Sequence, residues 1–556
     1  LKVQANQINQ TQAAAASAAI AASGNFSFTG TATWNEIGDV TSASVTNSTL
    51  TAGTVAVKAG ESDGTTTAKI QSLVGGISAS SKYAAAMAFG FNKIGSQRSA
   101  LISGSDITAS TSYAVSADAQ GSVETLAANL VASSQSTAVG ASSTTNWLNA
   151  SVVADVENSD FRGAASSLTV HAQYSGKIHS LAGTISGSAQ NAVGGSVAVN
   201  LMGEGSEVFE VKALANGAAL HGASSLLMDA SLSGEIKSFA VAGGGSGSNA
   251  INGSATTNQI EADVKATASN VQQSADASNV RITATQSSNI FSLAGAIGGA
   301  GSNAVGAAIS VNDIRSNVQS SLSSSTVKAT NELKVGSTSS GTIQSIAAAG
   351  SAAGNNAVNG SFTTNSITSS VTADMTSVTQ STQSSLVNVR ATDGSTIESL
   401  AGAVSGGGSA AAGAALALNF LGRTTLNADA EKLVRAQVSS SSLNASGDVT
   451  ILADSTSTIR SLGAAVGAGG SVAVTGSNTT NYIEDTLLAK MQASSLTGAT
   501  AGSLTVKASD NATIASLAGN LSGSLGATAV GAALAINRIN TDAQALLMSD
   551  AHVKLD

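Results

Sequence analysis

The sequence contains no proline in 556 residues, where average usage of roughly 5% would supply on the order of 28. Proline lacks a backbone N–H and is tolerated in sheets only at edges and bulges. Its complete absence implies a backbone hydrogen-bonded almost throughout, since ordinary loops would admit it. Cysteine is also absent, which excludes disulfide staples and thiolate metal sites and suits a chain that crosses an envelope unfolded. Aromatic residues make up 3% and charged residues 10%. A deep globular core would need many more large side chains, so the interior is expected to be thin and closely packed. The net charge of −9 is spread over single residues, which excludes the basic footprint of a nucleic-acid binder and gives no attraction to anionic membranes. The chain begins at Leu1 with no basic-then-apolar leader, so it is expected to be processed or part of something longer.

What is present is a repeat. An asparagine recurs at Asn35, Asn92, Asn146, Asn200, Asn258, Asn312, Asn365, Asn419, Asn481 and Asn537, in steps of 57, 54, 54, 58, 54, 53, 54, 62 and 56. The residue two positions later is always aliphatic or Met, from Ile37 to Ile539. An upstream landmark (Ile70, Val123, Ile178, Ile236, Ile290, Ile343, Ile397, Ile459, Ile514) keeps the same period. Two unit types alternate. One reads Ser-Leu-Ala-Gly (Ser180–Gly183, Ser292–Gly295, Ser399–Gly402, Ser516–Gly519) and places an apolar residue before the Asn, such as Val199, Val311, Leu418 or Ile536. The other has Ala128, Val241, Ala348 or Ala464 in place of that Gly, and Thr145, Thr257, Thr364 or Thr480 before the Asn.

Within units the apolar period is two, as in Ile260, Ala262, Val264 and Ala266 interleaved with Glu261, Asp263, Lys265 and Thr267. That is the pattern of a half-buried strand. Strands repeated in register predict an all-β fold: an elongated right-handed parallel β-helix, or β-solenoid, of about ten 54-residue units in two alternating types, forming one continuous array over 1–556. Reading each unit as two coils of about 27 residues predicts a rod on the order of 100 Å at about 4.8 Å per coil. A competing helical, membranous reading rests on the charge-free stretch Ser399–Gly422. Its Gly, Ser and Ala content and missing aromatic belts weigh against it, although they leave a glycine-zipper pore conceivable.

The segments Ala304–Asn312 and Ala529–Asn537, with the Ser-Leu-Ala-Gly motifs, resemble the repeat region of the leukotoxin-type and filamentous-haemagglutinin-like large exoproteins of Gram-negative bacteria. The resemblance covers nearly the whole chain. It implies two-partner secretion, an extracellular or cell-surface location, and a β-helical fibre acting in adhesion or biofilm cohesion; some such proteins are reported as toxins.

Chemistry was sought on its own terms. Glu484, Asp485, Asp454 and Asp510 fall at different phases of the repeat, and no acidic pair recurs as glycoside or lyase chemistry would need. His171, His179, His221 and His552 show no metal-ligand spacing, and Ser62-Asp63-Gly64 reads as an ordinary turn. Trp34, Trp147 and Tyr482 lie beside the Asn landmark but are interrupted by Lys93, Gln259, Ser366 and Arg538, so no aromatic platform for sugar stacking is expected. Asn252, Asn359 and Asn511 are Asn-x-Ser/Thr acceptors by composition alone. The Thr-Thr-Asn segments, expected four coils apart, are too sparse for an ice-binding array.

The Asn series is expected to be a structural ladder stacked at a turn, bonding coil to coil. Alternation of apolar and Thr residues before it predicts two chemically different strips for side-by-side packing. The chain is expected to be non-catalytic, with no cofactor and no metal, acting as a structural fibre or an adhesin stalk. Its expected partner is itself, end to end or side by side, with cell-surface glycans or exopolysaccharide as ligands, and neither nucleic acid nor membrane insertion. The alternatives are a polysaccharide-binding or polysaccharide-cleaving β-helix, or the repeat region of a pore-forming toxin.

Overall fold

The computed structural model describes residues 1–60, 67–203, 209–222, 224–425, 432–499, 502–526, 528–548 and 551–555. These residues form strands and the turns between them, with no helix. Residues 225–273 trace one full coil. Ser225–Ser246 lies in a front sheet, and Asn249–Ser269 returns in a back sheet. The chain then turns at Asn270 into the short strand Gln272–Gln273, back in the front sheet. Ala277–Ala300 opens the next coil on top of it. All pairings among the described residues are parallel, and apart from local shifts at Ala52–Thr54, Ala277–Asn279 and Leu496–Ala499 they hold one register: Ile178 lies beside Ile236, and Ile236 beside Ile290, while Asn258 sits between Asn200 and Asn312.

Hydrogen-bonded neighbours are therefore one unit apart, and each 54-residue unit is a single coil. This corrects the expectation of two 27-residue coils. The upstream landmark and the Asn landmark of a unit sit on opposite sheets of one turn, not on successive turns. Ten coils rising about 4.8 Å each span roughly 45 Å along the axis, about half the length expected. A strand of 21 residues, such as Asn249–Ser269, covers roughly 70 Å across the coil at about 3.3 Å per residue. The cross-section is itself long and thin.

Backbone bonding continues through the turns. The N–H of Gly247 donates to Ser188, Gly301 to Ser246, Gly354 to Ala300 and Gly408 to Ala353, coil upon coil. A Cβ on Gly301 would overlap the Gly247 carbonyl oxygen, so these turns require glycine by close approach. With donors engaged even here, proline has almost nowhere to sit.

Each coil has two parts. In the body, Leu226, Met228, Leu232 and Ile236 of the front sheet face Ile260 and Val264 of the back sheet, with Val271 closing the corner, within one core that runs through the whole stack. Beyond Ser238 and Asn258 the sheets close into a fin filled by Ala240, Ala242, Ala250, Ser254 and Thr256. The fin is thin enough that the Ser196 hydroxyl on the back sheet donates to the Val241 carbonyl on the front sheet at 2.7 Å. Thr184 reaches Gly195 in the other direction at 2.8 Å. Ser399–Gly422 forms one such fin with the turn that follows it, in strands Leu386–Gly407 and Ala410–Leu421. No helix among the described residues is long and apolar enough to cross a membrane.

Candidate functional site

All ten landmark asparagines come together in one row, in mid-strand at the border of body and fin and not at a turn. Each Nδ2 donates to the Oδ1 of the next coil at 2.8 Å, from Asn35 through to Asn537. Most are fully buried. Several amides also touch a hydroxyl across the coil, as Asn200 does with Ser238 at 3.0 Å and Asn92 with Thr125 at 2.8 Å. Every amide oriented the same way makes a polarised chain that seals the wide core from the narrow fin.

Two further ladders went unread in the sequence. At the body corner the first nine coils each carry a residue with positive φ: Asn47, Gly104, Asn158, Gly217, Asn270, Ser324, Ser377, Ser440 and Ala493. In several coils a serine follows it. The Ser105 hydroxyl donates to its own strand at Ser103 while accepting the N–H of Ser48 one coil away; Ser159 and Ser494 repeat the device with Ser105 and Ser441. The sequence signal was an Asn, Gly or Ser twelve residues after six of the landmark Asn residues, blurred by Ala493 at the same spacing and by longer spacings to Gly217 and Ser440. At the fin tip Asn356, Asn303 and Asn249 each donate to the preceding coil, ending on Asn191, at 2.9 Å. This row is polarised opposite to the buried one.

The acidic residues considered for catalysis partly converge. Asp485 is buried with Asp393 around Lys432, whose Nζ lies 2.7 Å from Asp393 and 3.2 Å from Asp485. Ser455 and Ser457 donate to the same Asp485 oxygen, and Ser369 and Ser395 donate to Asp393. Burial alone would lower the Lys432 ammonium, but the two carboxylates outweigh it and the net direction is upward. Asp510, one coil on, is pushed up to about 6 by burial and then by the Asp485 charge. Side chains of this group are at most 1% exposed at Lys432, Asp393 and Asp485. A substrate has no path to them, and the group acts as a charged brace inside the body. Glu484 instead pairs with Arg423, and Asp454 with Arg390. A second brace, Arg98 on Asp39 at 2.7 Å, closes the body in the first two coils; burial lowers the Arg98 guanidinium despite that carboxylate.

The histidines stay apart. His171 sits between Asp118 and Asp229 of the flanking coils, at 3.4 and 3.3 Å, and those hydrogen bonds hold it up to about 10. His179 meets Glu235, His221 lies near Asp160, and His552 belongs to the final short strand. Among the described residues no group of three or more His, Cys, Asp or Glu side chains is arranged to hold a metal ion. Ser62-Asp63-Gly64 lies outside the described residues.

Trp34 and Trp147 occupy different rows of the back sheet. Trp147 and Tyr482 share a row with Lys93, Gln259, Ser366 and Arg538, so the aromatics are dispersed. Asn252 and Asn359 point into the fin and are buried, which removes them as glycan acceptors. The Thr and apolar residues before each Asn also fall in one row, Thr145, Val199, Thr257 and Val311 on successive coils. The two separate strips expected do not form, and Thr-Thr-Asn segments lie two coils apart.

The surface is sorted sharply. Among the described residues between Gly60 and Ser503 every exposed large hydrophobic residue lies in the fin, including Leu73, Ile77, Leu130, Ile185, Ile251 and Ile297. The same fin segments carry a single charged residue, Lys82. At the fin's base on the front face runs a crease, seen as cavities of about 660 and 550 Å³. One wall is the apolar row Leu73, Leu126, Leu181, Phe239, and the opposite wall the row Gln71, Glu124, His179, Lys237.

The class this fold defines is a parallel β-solenoid with one 54-residue turn per repeat. Comparison with protein-family models, curated proteins and solved structures found no match.

Proposed function

We propose that the chain is a structural segment of an extracellular bacterial surface fibre or adhesin stalk, with no catalytic role. The observation that carries this reading is the unbroken axial bonding: front strand, back strand and turns of each coil all bond to the next coil in one register. Such a stack resists stretching and grows by adding coils, so its product is length. The resemblance of its Ser-Leu-Ala-Gly and Ala304–Asn312 segments to large exoprotein repeats supports the location and the two-partner export route. Electron microscopy of the purified chain is the test. Particles with a 4.8 Å axial repeat, single and about 45 Å along the axis or joined end to end into filaments, are expected; globules without that repeat would sink the proposal.

A second reading, polysaccharide binding, is favoured by the front crease, where an apolar wall faces a hydrogen-bonding wall coil after coil. Retardation of the chain in gels containing acidic or neutral polysaccharide, lost in Lys237→Ala with Leu181→Ser, would support it; unchanged migration would remove it.

A further inference from the structure

The fin is built inside out. Its interior is Ala, Ser, Thr, Gly and Asn, whereas its outer faces carry Leu, Ile, Val and Phe. A body with the ordinary arrangement, apolar within and charged without, is joined to it in every coil. A face of this kind is stable in water only when covered.

The shape of both faces says what covers them. On the front face the row Leu126, Leu181, Phe239, Leu293 stands as one ridge, and the row Leu130, Ile185, Ile297, Val404 as a second that is notched at Gly243 and Gly350. Between them runs a groove of Ala128, Gly183, Gly295, Ala348 and Gly402, crossed at one coil by Val241, which is 41% exposed and stands opposite the Gly243 notch. The back face repeats the profile, with Val193, Ile251 and Val305 on one ridge, Val197 and Ile309 on the other, and Gly195, Gly253, Ala307 and Gly360 between them.

These outward glycines are not required by the chain's own fold. Their φ is not positive, and a Cβ would meet nothing nearer than 3.6 Å at Gly183, 3.7 Å at Gly295, and nothing within 4 Å at Gly253 or Gly360. The inward ones differ: at Gly194 a Cβ would lie 2.7 Å from Asn252 Oδ1. Glycine within a strand is destabilising relative to alanine, and where it persists another backbone commonly approaches.

We infer that each fin face is a docking surface for the fin of a second copy of this chain, a ridge of one seating in the groove of the other as a dry interface between parallel sheets. The available face, nine coils high and about eight residues wide, is roughly 1,100 Å², against about 800 Å² per partner in a standard stable interface. Hydrocarbon would also cover an apolar face. It has no need of a groove, however, and gives no return for the outward glycines that line one. Because both faces carry the profile, association continues from copy to copy into layers.

This inference deepens the fibre reading by naming how fibres join side by side, and its test separates the two. Two variants of the full chain are compared with wild type by sedimentation velocity and electron microscopy. Ile185→Asp with Ile297→Asp places charge on a ridge; Gly183→Leu with Gly295→Leu fills the groove without crowding the monomer. Both are expected to fold, with unchanged circular dichroism and axial repeat, and to associate laterally about a hundredfold more weakly, while Thr285→Asp on the body leaves association as in wild type. Lateral association undiminished in both variants overturns the inference, as does a non-associating wild type that binds phosphatidylcholine vesicles equally well with the groove filled. Single unbundled filaments with an intact fin would defeat the inference and spare the fibre reading; paired fins on particles that show no axial repeat would do the reverse.

Discussion

At the residue scale the strongest constraint is the buried amide row. Asn258 accepts from Asn200 and donates to Asn312, both at 2.8 Å. In Asn258→Ala the Asn312 oxygen loses its donor, and leaving a buried polar group unpaired costs about 1–3 kcal/mol. Asn258→Asp is expected to be worse despite its closer shape, because it sets a carboxylate oxygen against the Asn312 oxygen. Urea unfolding followed by circular dichroism checks both the loss and its order; equal midpoints for the two variants would contradict a directed ladder. His171 offers a second test, through pH. Its folded pKa of about 10 exceeds the ordinary imidazole value near 6.5. The stabilisation it supplies is therefore complete below about pH 6.5 and lost as pH rises towards 10. Thermal melts of the wild type should fall across that window, and the His171→Gln variant should lack that component of the fall.

At the scale of elements, the body tolerates charge only where charge is answered. Lys432→Met leaves Asp393 and Asp485 buried without their cation, and breaking a buried pair on one side costs about 3–5 kcal/mol. Adding Asp393→Asn and Asp485→Asn should recover most of that loss in urea unfolding; no recovery would mean that Lys432 matters by its packing. This cluster also marks the limit of what was legible in the sequence. Asp393 and Lys432 lie on opposite sheets of one coil and Asp485 on the next, and only the correct coil length brings them together. The Asn row, the two alternating unit types, the strand period and the exclusion of proline were legible, since each repeats at every turn and selects one residue type. Coil length was not. The alternation of Ile260, Ala262 and Val264 says which side chains face inward, but not which strand lies beside them. Nor does it reveal that apolar residues point inward in the body and outward in the fin: Leu181 and Ile185 read as core by residue type, yet they are 40% and 62% exposed. The positive-φ corner stayed hidden because Ser324, Ser377 and Ala493 share it with the expected Asn and Gly.

At the scale of the whole molecule, a stack in which each coil touches only its neighbours should tolerate loss of a coil but not of half of one. Deleting residues 258–311 joins Thr257 to Asn312, and both flanks keep their register, since Thr257 pairs with Val311 and Asn258 with Asn312. The shortened chain is expected to fold into nine coils, about 4.8 Å shorter along the axis, with its amide row rejoined. Deleting 27 residues, 285–311, instead joins front-sheet Ala284 to back-sheet Asn312. It removes one side of a coil and sets the wide apolar core of one turn against the narrow fin of the next. That chain should aggregate or lose cooperative unfolding. Small-angle scattering and urea unfolding of the two deletions decide the matter: if the 27-residue deletion folds as well as the 54-residue one, the coil is not the 54-residue turn described, and the body, the fin and the interface inferred between fins all fall with it.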